Sequence, residues 1–264
     1  MKIAAGQIVS GANKSENLAE IERLTALAAS DGADLVVFPE FAMYYTPMQH
    51  PEFLRQAETL DGDFVSALAR IANSHDVMLV AGMHERIEGE DRAYNSLVVV
   101  SPQAGLTNVY RKQHLYDAFG FKESDFLLPG EVKSPTTFEV KGVKVGLLTC
   151  YDLRFPEAAR MHADAGVQVL AYPAAWMPGP RKEDHWNTLA RARAIENTIY
   201  VAAVSQGPPL GTGGSLLIDP NGLVLGELGE SNGVIAANIE PERVEQVRAF
   251  NPSLVNRRYT VSPA

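Results

Sequence analysis

The chain has 264 residues, 46% hydrophobic and 21% charged, enough to bury the core of one large α/β domain or two small ones. With 32 acidic and 23 basic side chains its net charge is −9, and no run of Lys or Arg exceeds two, which argues against nucleic acid or an anionic membrane surface as a partner. One cysteine excludes an internal disulfide and any multi-cysteine metal site, and fits a reducing, cytoplasmic compartment.

Residues 3–9 (IAAGQIV) read as a buried strand, too short and too soon broken by Gly and Asn to be a signal segment or a membrane span. Leu18, Ile21, Leu24 and Leu27 recur at helical spacing over 15–30, with Asn13 or Ser15 as cap and Gly32 as stop. DLVVFPE is a strand ended by Pro39. Phe64, Leu68 and Ile71 mark a helix over 63–74, and 77–83 and 96–100 are strands. Residues 101–136 mix aromatics, charges, Gly and Pro without a period; their aromatic content argues for a functional loop rather than disorder.

The pattern then restarts. KVGLLTC is a strand, FPEAARMHADAG a helix, VQVLAYPA a strand, EDHWNTLARARAIENTI a helix and YVAAVSQ a strand. A hairpin turns at Pro220-Asn221-Gly222, VIAANIE is a last strand, and Pro241 opens a helix before an irregular tail. Strands alternating with helices predict α/β layers, and the absence of a linker between the halves predicts one domain over 1–264 with an internal echo.

There is no P-loop and no G-x-S-x-G elbow, and Gly211-Thr212-Gly213-Gly214 precedes a strand rather than a helix, unlike a dinucleotide fingerprint. None of the six histidines shows zinc-ligand spacing. Three polar residues remain where apolar strands stop: Glu40 after DLVVFP, Lys112 in VYRKQH and Cys150 after VGLLT. Sites in α/β sheets gather outside such strand ends. A carboxylate can take a thiol's proton, and an ammonium can stabilise first the thiolate and then the oxyanion made when that sulfur attacks a carbonyl. Together they suit acyl transfer through a thioester. Taken singly, each has a plainer reading: a packed core thiol, a capping carboxylate, a surface lysine.

The segments VVFPE, YRKQHL and LLTCYDLRFPE resemble the three signature segments of the nitrilase superfamily of carbon–nitrogen hydrolases, over nearly the whole chain. The resemblance implies an αββα sandwich and a homodimer that stacks two of them, with the tail from about 250 to 264 at the interface. It implies Cys150 as nucleophile, Glu40 as general base, Lys112 as stabiliser of the tetrahedral intermediate, and no cofactor or metal. It further implies a second catalytic glutamate in the loop after the lysine, for which Glu123 is the first candidate and Asp117 and Glu131 are the others. Cys150-Tyr151-Asp152, with PAAWMPGP and KEDHWNTLARARAIEN, resembles the amidase branch that holds deaminated glutathione amidase and the ω-amidases, rather than nitrilases or carbamoylases.

A small carboxylate-bearing linear amide is therefore the expected substrate. Arg154, at a helix start four residues past the thiol, could hold its carboxylate or pair with Glu157; Tyr151 offers a second oxyanion donor through its N–H; Trp176 could wall the pocket. The competing readings are hydrolysis of a nitrile or an N-carbamoyl amine, and a non-catalytic metabolite binder. A redox-sensing thiol lacks a resolving cysteine.

Overall fold

The computed structural model describes residues 1–46, 52–132 and 134–263; His50 and the final residue of the tail lie outside them. The first sheet begins with β1 (Lys2–Gln7), β2 (Leu35–Val37), β3 (Met78–Glu85), β4 (Ala93–Ser101) and β5 (Gly105–Arg111). Helices α1 (Lys14–Ser30), α2 (Glu52–Gln56) and α3 (Asp63–His75) intervene. A small ribbon, β6 (Asp117–Ala118) and β7 (Phe121–Lys122), follows, and β8 (Leu127–Leu128) pairs with the start of β4.

The second sheet comprises β9 (Thr137–Val140), β10 (Val143–Leu147), β11 (Val169–Ala174), β12 (Tyr200–Ser205), β13 (Leu216–Ile218) and β14 (Val224–Glu227), with α4 (Pro156–Asp164) and α5 (Lys182–Asn197) between its strands. The last strand, β15 (Gly233–Asn238), returns to pair antiparallel with β1, and α6 (Pro241–Phe250) precedes the tail. The orders are β15-β1-β2-β3-β4-β5 and β14-β13-β12-β11-β10-β9. Each sheet has three parallel strands (β1 to β3, β10 to β12) followed by an antiparallel one, so the echo in the sequence is an echo in topology.

Alternation in the first sheet divides its side chains between two layers. Ile3, Leu35, Val80 and Leu97 enter the core shared with the second sheet. Their neighbours Ala4, Val36, Leu79 and Val98 meet Ile21 and Leu24 of α1 and Leu68 and Ile71 of α3. Trp186, Ala190 and Ala194 of α5 cover the second sheet. The result is the αββα sandwich. Among the described residues no helix is long and apolar enough to cross a membrane.

Asn13, not Ser15, caps α1: its side chain accepts from the N–H groups of Ser15 and Glu16. The stretch 101–136 is less irregular than its composition predicts. It contains β5, whose polar Thr107 and Asn108 blur the alternation while Tyr110 is buried in the inter-sheet core.

One close approach fixes where the site forms. After β2 the chain turns through Pro39 to Phe41 directly over β3, and the Gly82 N–H donates to the Pro39 carbonyl (3.1 Å). A Cβ on Gly82 would lie 2.6 Å from Glu40 Cα and from the Phe41 nitrogen, both backbone atoms that cannot swing aside. Gly82→Ala is therefore expected to destabilise the fold by about 1–3 kcal/mol, measured by denaturant unfolding; wild-type stability would contradict this packing.

Candidate active site

Glu40 follows β2, Lys112 follows β5 and Cys150 opens a 3-10 turn (Cys150–Arg154) three residues after the end of β10. The fold brings all three to one pocket of about 140 Å³, which Glu123 and Tyr151 also line. The Lys112 ammonium is buried and lies 3.0 Å from Glu40 Oε1 and 2.9 Å from Glu123 Oε2. Asn95, from β4, donates to Glu40 Oε1 at 2.6 Å and reaches Glu123 Oε1 at 3.5 Å. The Ala175 N–H, just past β11, donates to Glu40 Oε2 (2.7 Å), and the Tyr116 N–H donates to Glu123 Oε2 (2.6 Å). Both carboxylates are thus aimed by backbone donors and held by the same ammonium.

Of the three acids that follow Lys112 in sequence, Glu123 is the one brought to it. Asp117 is exposed, with a carboxylate that accepts from the Ser124 N–H (2.9 Å), and Glu131 is exposed in a different groove.

Cys150 adopts φ +45°, a left-handed conformation unusual for a residue with a side chain. Its turn is fixed from outside. The buried Asp152 carboxylate accepts from the Thr149 N–H (2.8 Å), the Tyr110 hydroxyl (2.7 Å) and the His114 N–H (3.1 Å). The His114 ring, stacked on Phe155, contacts the same carboxylate at 2.6 Å. Arg193 is buried and donates twice to the Leu153 carbonyl (2.8 and 3.0 Å), besides pairing with Glu196.

The electrostatics of the cluster oppose a resting thiolate. Burial pushes the Cys150 thiol well above its ordinary 9.0, and the Glu40 carboxylate, which hydrogen-bonds it, pushes it further; Lys112 pulls the other way. Burial also opposes the charge on Lys112, but Glu123 and Glu40 outweigh it and hold that group well above the usual lysine value. Burial raises Glu123, against the pull of Lys112. The arrangement is a neutral thiol with its acceptor already in place.

At the rim, Trp176 lines the pocket, and its indole N–H donates to the Lys182 carbonyl (2.7 Å). The Arg154 guanidinium lies 4.8 Å from the centre of the Trp176 ring and 3.4 Å from His185 Nδ1. It makes no ion pair with Glu157, the alternative open at the sequence level. Asn95 and Lys182, absent from the sequence-based set, also belong to the site. Among the described residues no group of three or more His, Cys, Asp or Glu side chains is placed to hold a metal ion.

Because burial and Glu40 both raise the thiol, ultraviolet thiolate absorbance of the free protein should show no step below pH 9.0. Glu40→Gln removes one raising charge and should move the step down; Lys112→Met should move it up. A wild-type step below 9.0, or an upward move in Glu40→Gln, would contradict this account of the cluster.

The sequence profile of the carbon-nitrogen hydrolase family matches residues 2–249. A deaminated glutathione amidase of Escherichia coli O157:H7 is 39% identical, with 98% of each chain covered. The omega-amidase NIT2 of Mus musculus is 33% identical, over 98% of this chain and 97% of its own. The crystal structure of Saccharomyces cerevisiae Nit3, a member of branch 10 of the nitrilase superfamily, superposes with a TM-score of 0.86 at 31% identity, covering 98% of this chain and 97% of that one. On the full length of its fold and sequence, the chain belongs to the carbon–nitrogen hydrolase family, the nitrilase superfamily.

Proposed function

We propose that the protein is a cofactor-independent amidase that hydrolyses a small linear ω-amide bearing a carboxylate, of the deaminated glutathione or α-keto acid amide type, through an acyl thioester on Cys150. The observation that carries this is the buried contact set of Glu40, Lys112 and Glu123 around the one thiol, at the end of a pocket. The names of the E. coli and mouse relatives, a deaminated glutathione amidase and an omega-amidase, support the choice of amides.

Cys150 Sγ attacks the amide carbonyl carbon as its proton passes to Glu40, so no free thiolate need accumulate. The carbonyl oxygen becomes an oxyanion facing Lys112 Nζ and the Tyr151 N–H. On collapse Glu40 returns the proton to the leaving nitrogen, ammonia or an amine departs, and a thioester remains. Glu40 then takes a proton from water, whose oxygen attacks the thioester; the acid leaves and the thiol is restored. Glu123 keeps Lys112 charged and aimed, and its carboxylate faces the bound amide. Arg154 holds the substrate carboxylate, Trp176 walls it, and neither needs to move a proton.

We read residues 1–264 as one cytoplasmic hydrolase domain that works as a homodimer. Phe250, Val255 and Tyr259 of the terminal segment are 94%, 84% and 88% exposed, an apolar surface that a second copy would cover, as the interface assignment of 250–264 requires.

The test is intact mass after mixing with substrate amide and acid quench. The wild type should carry an acyl adduct, Cys150→Ala should carry none and be inert towards every amide, and Glu40→Gln should lose about 10²–10⁴-fold in kcat. Turnover by Cys150→Ala refutes the mechanism. Preference for a nitrile or carbamoyl amine over amides refutes the substrate class alone.

A further inference from the structure

Lys182 is the first residue of α5, is only 6% exposed, and lines the same pocket as Cys150. Its ammonium donates to the Tyr116 hydroxyl (3.0 Å) and faces three aromatic rings: Phe119 at 4.2 Å, Tyr116 at 5.1 Å and Trp176 at 5.4 Å. Arg154 shares two of those rings, at 5.4 Å from Phe119 and 4.8 Å from Trp176. Among the described residues neither cation has a carboxylate within ion-pair distance. Three features of this arrangement are unfavourable. Two like charges flank the same rings. The positive end of the α5 dipole adds to them. Lysine carries three donors, and the described residues offer one hydrogen-bond acceptor for them. Burial, then Arg154, holds the Lys182 ammonium below the ordinary lysine value, as such crowding demands. An anion placed between the two cations relieves all of this at once.

We propose that Lys182 acts with Arg154 as a two-cation clamp for the anionic group of the substrate, and that Lys182 sets the preference for anionic over neutral amides. This rests on the amidase reading given above. The aromatic rings alone offset part of the charge crowding through cation–π contacts, so the competing account is a purely structural lysine. The two accounts differ in one measurable respect. A clamp discriminates between substrates that differ in charge; a structural lysine supports all substrates alike.

Succinamate and butanamide make the comparison, since a carboxylate in one replaces a methyl in the other. Lys182→Met keeps an unbranched apolar stem against Trp176 and Phe119 and removes the charge with its hydrogen bond to Tyr116. The ratio of kcat/KM for succinamate over that for butanamide should fall at least about 10-fold in Lys182→Met, the scale of a lost charge-assisted hydrogen bond. Lys182→Arg should restore most of it. Equal losses on both amides, with the ratio unchanged, would overturn the clamp and leave the amidase standing. Calorimetry with succinamate separates the two levels, because it needs no turnover. Cys150→Ala should bind it at least about 10-fold tighter than Cys150→Ala with Lys182→Met. Equal affinities refute the clamp. Tight, Lys182-dependent binding, together with no acyl adduct on the wild-type protein, would support the clamp and refute the amidase reading beneath it.

Discussion

The ammonium of Lys112, buried between two carboxylates, is the interaction on which the rest of the site depends. A charge taken out of water is tolerated only if it is paired and hydrogen-bonded, and removing one partner of such a pair typically costs about 3–5 kcal/mol. Here the partners come from separate parts of the chain: Glu40 after β2, Glu123 from the loop beyond β5, and Asn95 from β4 bonding both. Glu40 is also tied to the second sheet, through the Ala175 N–H at its carboxylate and Gln206 Nε2 at its carbonyl (2.9 Å). The charge cluster is therefore also a joint between the sheets. The pocket and the sandwich form together, and neither is complete without the ammonium.

The second constraint is conformational. A left-handed residue at a strand end costs on the order of 1–2 kcal/mol, and persists only where the surroundings over-determine it. Asp152 does this for Cys150, with its carboxylate taking hydrogen bonds from Thr149, Tyr110 and His114 while Arg193 grips the Leu153 carbonyl. None of these four touches the sulfur. They turn it out of the β10 line and into the pocket, where Glu40 meets its proton. The groups that fix the turn thus come from both sheets and a helix: Tyr110 of β5, His114 just beyond it, and Arg193 of α5.

These two constraints explain what could be read in the sequence and what could not. Glu40 and Cys150 were legible because each ends an apolar run, where a polar residue stands out against its neighbours; Lys112, between Arg111 and Gln113, stood out through the likeness of YRKQHL to a signature segment. Glu123 ranked ahead of Asp117 and Glu131 only through the resemblance, because all three sit in one aperiodic stretch; Tyr116 N–H and Lys112 meet it in three dimensions. Asn95 was invisible because it lies inside a strand, where a polar side chain looks like the solvent face of an edge. β5 was missed for a related reason: it carries polar Thr107 and Asn108 side by side, and its pairing with β4 shifts register beside them, so its own pattern does not alternate. Lys182 sits between Arg181 and Glu183 at the start of an amphipathic helix, the most ordinary place for a solvated lysine, and only the pocket reveals it as buried.

Charge is also distributed along the pocket in a way that orients a substrate. The inner end carries two carboxylates around one ammonium, next to a thiol that burial keeps neutral. The outer end carries the Arg154 and Lys182 cations over Trp176 and Phe119. In a partly desolvated cleft such a gradient acts on the whole ligand rather than on one atom. A carboxylate entering first would meet Glu40 and Glu123 and be repelled, whereas the same carboxylate entering last is held at the rim. On the proposed reaction, the neutral amide is then placed at the end that carries Cys150, Glu40 and Lys112. On this reading the preference for an amide remote from its carboxylate needs no reading of the chain between them. It follows from the opposite signs of the Glu40 and Glu123 carboxylates and the Arg154 and Lys182 cations.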